Sequence, residues 1–547
     1  VHNTLNPTPA GSTGSGNIRV AGYGAAVLAL PLFAVVALLM GKEAGWDFQN
    51  YHWYDPYALL HGRVGFDIAV AHHATYYNPL LDVPLFVIGT HFAAWVAGAW
   101  LGVQAGMAAA LLGAIAYRLI PIGDARTRLA VAILLALAGM FGGGALGEVG
   151  KTSNDIATGL GALAALLLLI ARFPAVLRAD HRDLMLVLLP AGILAGASPG
   201  LKLTTAPYAV GFAVALLTLP GSPLRRLIRT TAFGIGVLVG IAAVGGFWFW
   251  TMWRFSGNPV FPYFNDFFHS PLVPPGSYRD PTFLPKDWTT RLVFPFAFSL
   301  DSLKVAEWKF RDIHIAIAYV LAPLAGLAAL LKFRPVQSWI DPIAARLLLV
   351  MAAGTYLVWL TMFAIYRYLI PLEMLSPIII VTAISLLPLK RNVAIALAAI
   401  LLVGAQVLAS PGHEFRFGWA GRYVEVAVPP LADPDNTMIL MTETVPAAYV
   451  IPAFPPAIPF LRIQGWLVGS KDTTSGFGAA MHRRVAEHQG PLYALQWPRE
   501  RAGTVVALAD YGLALDDGAC RPVETNIEYP LDQNLPLLLC PLIRKSP

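Results

Sequence analysis

GWDFQNYHWYDPYALLHGRVGFDIAVAHHATYYNPLLDVP, residues 45–84, is too polar to cross a membrane and lies between two segments apolar enough to do so. It holds four carboxylates (Asp47, Asp55, Asp67, Asp82), four histidines (His52, His61, His72, His73) and a crowd of aromatic rings. The rest of the chain spends charge sparingly: of 547 residues, 13% are charged and 56% hydrophobic, and mean hydropathy is +0.60. A soluble domain carries roughly 25% charged residues. A span needs about 20 largely apolar residues. Outward from the loop, such windows lie at 20–40, 93–117, 129–147, 156–171, 184–198, 203–219, 231–252, 314–331, 347–365, 369–388 and 393–410. The fold class is mainly α: a polytopic membrane protein of about 11 transmembrane helices, followed by a small exported α/β domain.

Positive charge in short loops marks the cytoplasmic side. With the N-terminus inside, the inside loops hold Arg118, Arg126 and Arg128; Arg172, Arg178 and Arg182; Arg225, Arg226 and Arg229; Lys332, Arg334 and Arg346; Lys390 and Arg391. The outside short loops hold only Lys42, Arg63, Lys151, Lys202 and Arg367. The net charge of +6 is therefore a topology signal scattered among loops, not a nucleic-acid surface. Residues 1–18, rich in Gly, Ser, Thr and Asn, read as a disordered cytoplasmic tail. The span at 20–40 reads as a retained anchor. Residues 19–410 form the membrane domain, with outer loops 41–83 and 253–313 making its active-site face. An odd number of spans exports residues 411–547, where charges and prolines return and 437–441 and 504–509 read as strands. Cys520 and Cys540 both fall there. They make either one disulfide, closing a loop of about 20 residues, or two separate buried thiols.

Asp47 follows the first span almost at once. Residues 50–62 can form a short interfacial helix with Tyr51, Tyr54, Ala58 and Leu59 on one side and Asp55 on another. A carboxylate shielded by aromatics there would have a raised pKa and could take a proton from an acceptor hydroxyl; the alternative is a helix cap. Three cations, Lys202, Arg254 and Arg367, stand near the outer face, where such side chains can snorkel to the interface. Glu373, inside the next span, either pairs with Arg367 or faces a cavity. In the hairpin EVGKTSND, Glu148 and Asp155 line a substrate cavity or form an ordinary solvated turn. No histidine pair has the spacing of a metal site, so no ligand set and no cofactor is assigned; a divalent ion is left open.

The pattern Trp46-Asp47-Phe48, then Tyr51, then Ala58-Leu59-Leu60-x-Gly62, then Tyr76-Tyr77-Asn78-Pro79-Leu80 and Pro84 resembles the first outer loop of GT-C integral-membrane glycosyltransferases. It is most similar to the bacterial polyprenol-phosphate-mannose-dependent transferases (family 87 type). The resemblance is close over this loop and loose over the spans that follow. It implies a polyprenyl-phosphate sugar donor, whose phosphate Lys202, Arg254 and Arg367 would hold, and an essential aspartate that falls on Asp47, with Asp55 the nearest second acid. Tyr51, Tyr77 and Asn78, in the matched pattern, would join the acceptor or donor cavity. The expected function is transfer of a sugar to an envelope glycan, lipid or protein acceptor at the outer face of a bacterial inner membrane, with membrane lipids as neighbours and no nucleic acid. A transporter or lipid flippase and a non-catalytic envelope-assembly protein are the alternatives.

Overall fold

Each apolar window forms a helix in the computed structural model, which describes residues 12–333, 339–412, 416–527 and 535–545. Residues 1–11 of the expected tail, and Arg334, lie outside them. Among the described residues, seven helices are long and apolar enough to cross a membrane: Val20–Met40, Ala94–Leu119, His181–Leu201, Pro223–Ser256, Pro342–Met362, Tyr366–Ser385 and Arg391–Leu408. Asp155–Ala171, Leu203–Thr218 and His314–Leu330 are shorter apolar helices. The window at 129–147 splits into Ala125–Met140 and the single turn Gly143–Gly147. The first helix begins at Ser12, inside the stretch read as a tail. Extending a formed helix costs far less than nucleating one, which lets weak helix formers continue it.

Small residues set the helix packing. Where His181–Leu201 crosses Pro223–Ser256, a Cβ on Gly192 or Gly236 would collide with the opposite backbone. Tyr366–Ser385 runs through the centre, 94% of its apolar window buried. Any ionisable group on this helix is therefore held by protein, not lipid.

The two ends of the bundle differ in chemistry. At one end arginines satisfy helix-terminal carbonyls: Arg229 donates to Leu177 O (3.3 Å) and Pro220 O (3.1 Å), and Arg346 to Thr218 O (3.2 Å). Side-chain caps open helices there, with Asp124 accepting from Thr127 N (2.8 Å) and Asp341 from Ile343 N (2.7 Å). At the other end the long loops meet. Asn78 donates to Gly200 O (2.9 Å), Arg311 and Ser410 exchange backbone bonds of 2.9 Å, and Arg416 donates to Gly147 O (2.9 Å) and Val149 O (2.8 Å).

The strands are β1 (Lys42–Glu43), β2 (Arg416–Phe417), β3 (Val426–Ala427), β4 (Met438–Met441), β5 (Phe460–Arg462), β6 (Leu492–Gln496), β7 (Leu513–Leu515), β8 (Arg521–Thr525) and β9 (Leu537–Arg544). β1 pairs with β2 antiparallel, Lys42 opposite Phe417. The others form one sheet in the order β3-β8-β9-β6-β4-β5, with β7 on the far half of β9. β5, β4 and β6 are parallel and the remainder antiparallel. Cys520 and Cys540 are joined by a disulfide. Residues 504–509, read as a strand, lie in the helix Arg501–Ala509. Thr504, Ala507 and Leu508 are its buried face, so helical spacing outweighs the β-branched pair Val505-Val506.

The terminal domain and the first loop are one body. Ile68 extends the edge of the sheet beside β5, donating to Phe460 O (3.0 Å) and accepting from Arg462 N (3.0 Å). Beneath it, Arg63 forks onto Asp67 (2.5 and 2.8 Å) and donates to Ile458 O (2.7 Å), while Asp67 accepts from Phe460 N (2.9 Å). An exposed edge strand is thereby covered. Rings from both segments share a core: Trp53, Tyr54 and Phe86 pack with Tyr423, Tyr449 and Phe460.

Candidate functional site

Asp47 sits in a helical stretch beginning just after the first span, at the entry to the widened turn Phe48–His52. Such turns redirect side chains and recur at functional sites. The Asp47 carboxylate meets Arg367 from the start of the central helix, Oδ2 to Nη1 at 2.5 Å, with the two side chains 23% and 14% exposed. The expected raised pKa is not found. Burial pushes the carboxyl up, but Arg367, with His52 and Lys202, outweighs it and holds the group below the ordinary carboxylate range. Asp47 is an ionised carboxylate whose charge is already matched.

A second pair stands beside the first. Lys202, at the end of its helix, donates to Asp155 Oδ1 and Ser153 O, both at 2.7 Å, over the face of Tyr368 at 5.4 Å. Asp155 opens the helix Asp155–Ala171, where a negative charge is favoured, and its charge also acts on Arg367. Glu148 forms a third: it accepts from Lys151 (3.1 Å) and from Ser153 Oγ. Burial raises its carboxyl, yet Lys151 and Arg367 together hold it below the ordinary range. Trp308 of the long outer loop lies across both cations, 4.1 Å from Lys151 and 5.7 Å from Arg367. Glu148, Trp308, Arg367 and Tyr366 line a cavity of about 10 Å³, room for about one water.

Aromatic rings gather beside Asp47, whose charge acts on Tyr51 and Tyr263. Tyr77 and Tyr263 stack at 5.9 Å with their hydroxyls bonded, and Tyr51 meets Tyr77 edge-on at 5.4 Å. His73 lies against Tyr77 and Tyr263 (5.8 and 6.5 Å). The outer loop around Tyr263 thus reaches the site, and Asp47 acts electrostatically on Tyr263, Tyr368 and His73.

Several residues singled out from sequence stand elsewhere. Asp55 is buried, neither carboxyl oxygen having a hydrogen-bond partner among the described residues. Burial, and then the charge of Asp82, pushes its carboxyl well above the ordinary range. Asp82 of the same loop bonds His52 Nδ1 (2.9 Å) and accepts from Asn154 (2.5 Å). Asn78 is a tether to Gly200 and Val244. Arg254 is exposed, over Trp250 at 6.0 Å. Glu373 does not pair with Arg367. It accepts from Gly144 N (3.0 Å) and Ala145 N (3.1 Å), beside Asp312, which accepts from Gly143 N and His314 Nδ1 (2.9 Å each). The free amides of Gly144 and Ala145 thus meet one oxygen, Oε1, of a carboxyl buried in an apolar helix. Among the described residues, no group of three or more His, Cys, Asp or Glu side chains is arranged to hold a metal ion.

No protein-family model matches the chain, and no curated protein does. Among solved structures, the apo oligosaccharyltransferase of Archaeoglobus fulgidus aligns over 94% of this chain and 75% of its own, at 11% identity and a TM-score of 0.43. A likeness at that level carries no argument about activity.

Proposed function

We propose that this chain is a GT-C-type glycosyltransferase that moves a sugar from a polyprenyl-phosphate donor to an envelope glycan, lipid or protein acceptor. The N-terminus would lie in the cytoplasm and the site at the outer face of a bacterial inner membrane. One observation carries the reading: Asp47 and Arg367, a carboxylate and a guanidinium, pair beside a cluster of aromatic rings at the end of the bundle where the long loops meet. In the displacement, the acceptor oxygen bonds to the anomeric carbon as the carbon–oxygen bond to phosphate breaks. The electron pair leaves on the lipid phosphate, and the acceptor proton passes to Asp47. Arg367 offers the paired donors that suit phosphate, and its Nε has no hydrogen-bond partner among the described residues. Lys202, shared with Asp155, is a second cation acting on Asp47.

The resting pair gives this chemistry an order. While Arg367 holds Asp47, the carboxylate is a poor base. A donor phosphate that draws Arg367 away removes the charge that depresses the carboxyl, and burial then raises its proton affinity. Donor binding would therefore arm the base.

The test is Asp47→Asn in the full chain reconstituted in sealed vesicles, assayed for transfer from a labelled polyprenyl-phosphate hexose. Loss of glycoside formation with the fold intact is expected. Undiminished transfer would remove Asp47 from the mechanism, and accumulation of donor inside vesicles without any glycoside would mark a transporter.

A further inference from the structure

The proposed function leaves the acceptor open, and the terminal domain narrows it. The parallel strands β5, β4 and β6 end toward the first loop, and ligands of open α/β sheets collect beyond such carboxyl ends. Past β5 the chain turns through Gly465 to Trp466, an indole 57% exposed. Its ring is nearly parallel to those of His72 (4.8 Å, 17°) and Trp46 (5.1 Å, 8°), and Trp46 is the residue before Asp47. His73 continues the surface at 6.3 Å and 28°.

The turn is fixed from below. His72 Nε2 donates to Thr444 O (3.0 Å), leaving Nδ1 to accept from Trp466 N (3.2 Å), a consistent pattern for a neutral imidazole. Burial, then Arg462, depresses the pKa of His72 and keeps it in that form. A side chain on Gly465 would strike the same imidazole. A large ring face is thus held rigid and left uncovered beside the proposed base.

We propose that Trp466, with Trp46, forms the acceptor subsite of this enzyme, and that the acceptor is a carbohydrate chain. This rests on the transferase reading above. A pyranose presents a face of C–H groups made positive by neighbouring oxygens, which the negative face of an indole attracts. A rigid ring costs little entropy to use. A peptide or a diacylglycerol presents no such flat polarised face. The donor enters from the bilayer with its lipid, whereas Trp466 belongs to the terminal sheet domain, so the ring serves the partner arriving from the aqueous side.

The experiment uses the full chain in nanodiscs, a labelled polyprenyl-phosphate hexose, and three acceptors in parallel: a mannose oligosaccharide, a serine-containing peptide and diacylglycerol. Transfer to the oligosaccharide is expected. Trp466→Ala should raise the acceptor KM at least roughly tenfold, with kcat less affected. Trp466→Phe should recover most of that loss. Trp95→Ala, a 54% exposed ring at the start of the helix Ala94–Leu119, should leave the acceptor KM unmoved. Preference for the peptide or the diacylglycerol would overturn the proposal, as would a rise in donor KM instead of acceptor KM, or an equal change in Trp95→Ala. Absence of transfer to any acceptor by the wild type would instead remove the function itself.

Discussion

Arg367→Ala leaves Asp47, a partly buried carboxylate, without its main counter-charge. Two unit charges with centres about 4 Å apart interact by about 4 kcal/mol at an effective dielectric of 20. Removing one partner of a buried pair costs about 3–5 kcal/mol, because the other stays desolvated and uncompensated. With side chains 23% and 14% exposed, this pair falls at the lower end, about 3 kcal/mol. The diagnostic variant is the double one. Asp47→Asn with Arg367→Ala removes both charges and should regain most of the loss. The sign of the pH effect follows. In the wild type the Asp47 carboxyl is depressed, so its stabilisation is present above its unfolded value and is lost as pH falls through the lower folded value. In Arg367→Ala burial prevails and the carboxyl is raised, so the defect should shrink as pH falls from 7 toward about 5. Inactivation half-lives in detergent at fixed temperature are the suitable measure, since large membrane proteins commonly unfold irreversibly. A double variant as weak as Arg367→Ala, or a defect constant between pH 5 and 7, would refute the reasoning.

Asp55→Asn should cost little stability and keep transfer, since neither oxygen of Asp55 has a hydrogen-bond partner to lose among the described residues and burial already disfavours its charge; a loss equal to that of Asp47→Asn in the same assay would make Asp55 a catalytic group. Burial pushes Glu443 up to about 8, so it favours the folded form fully below its unfolded value near 4.5 and loses that contribution as pH rises through about 8. Glu443→Gln should flatten this decline, read as proteolytic resistance of the terminal domain across pH 5–9. The Cys520–Cys540 bridge closes a separation of 20 residues, a loop size for which the chain-entropy model gives about 3 kcal/mol. Cys520→Ser with Cys540→Ser should therefore lower the domain's resistance, and reductant should then have no additional effect.

The spans were legible because a bilayer imposes a one-dimensional demand, about 20 apolar residues in a row. Each window can be read without knowing what it packs against. The site was not legible in that way. Asp47 and Arg367 both stand out in the sequence, but they are 320 residues apart, and no local pattern joins them. The carboxyl pKa values went astray for the same reason. Burial of Asp47 could be foreseen from its aromatic neighbours, whereas the guanidinium that overrides burial could not. Asp55 and Asp82 look alike in the loop, and only the fold decides which meets His52. Glu373 is answered by backbone amides of Gly143–Gly147, a partner with no side-chain signature. Trp466 was missed because a single Gly-Trp in a loop carries no periodicity. Its significance lies in Trp46, more than 400 residues earlier in the chain.

The seam between Ile68 and β5 has a consequence for how the protein is made. The loop beside the first span is translated well before its partners in the sheet, Ile458 lying 395 residues after Arg63. Until that later stretch emerges, Arg63 lacks its carbonyl acceptors on Pro456 and Ile458, and Asp67 lacks its amide donor on Phe460. The helices between them can insert while this seam is still open, so the loop takes its final form only when the sheet folds against it.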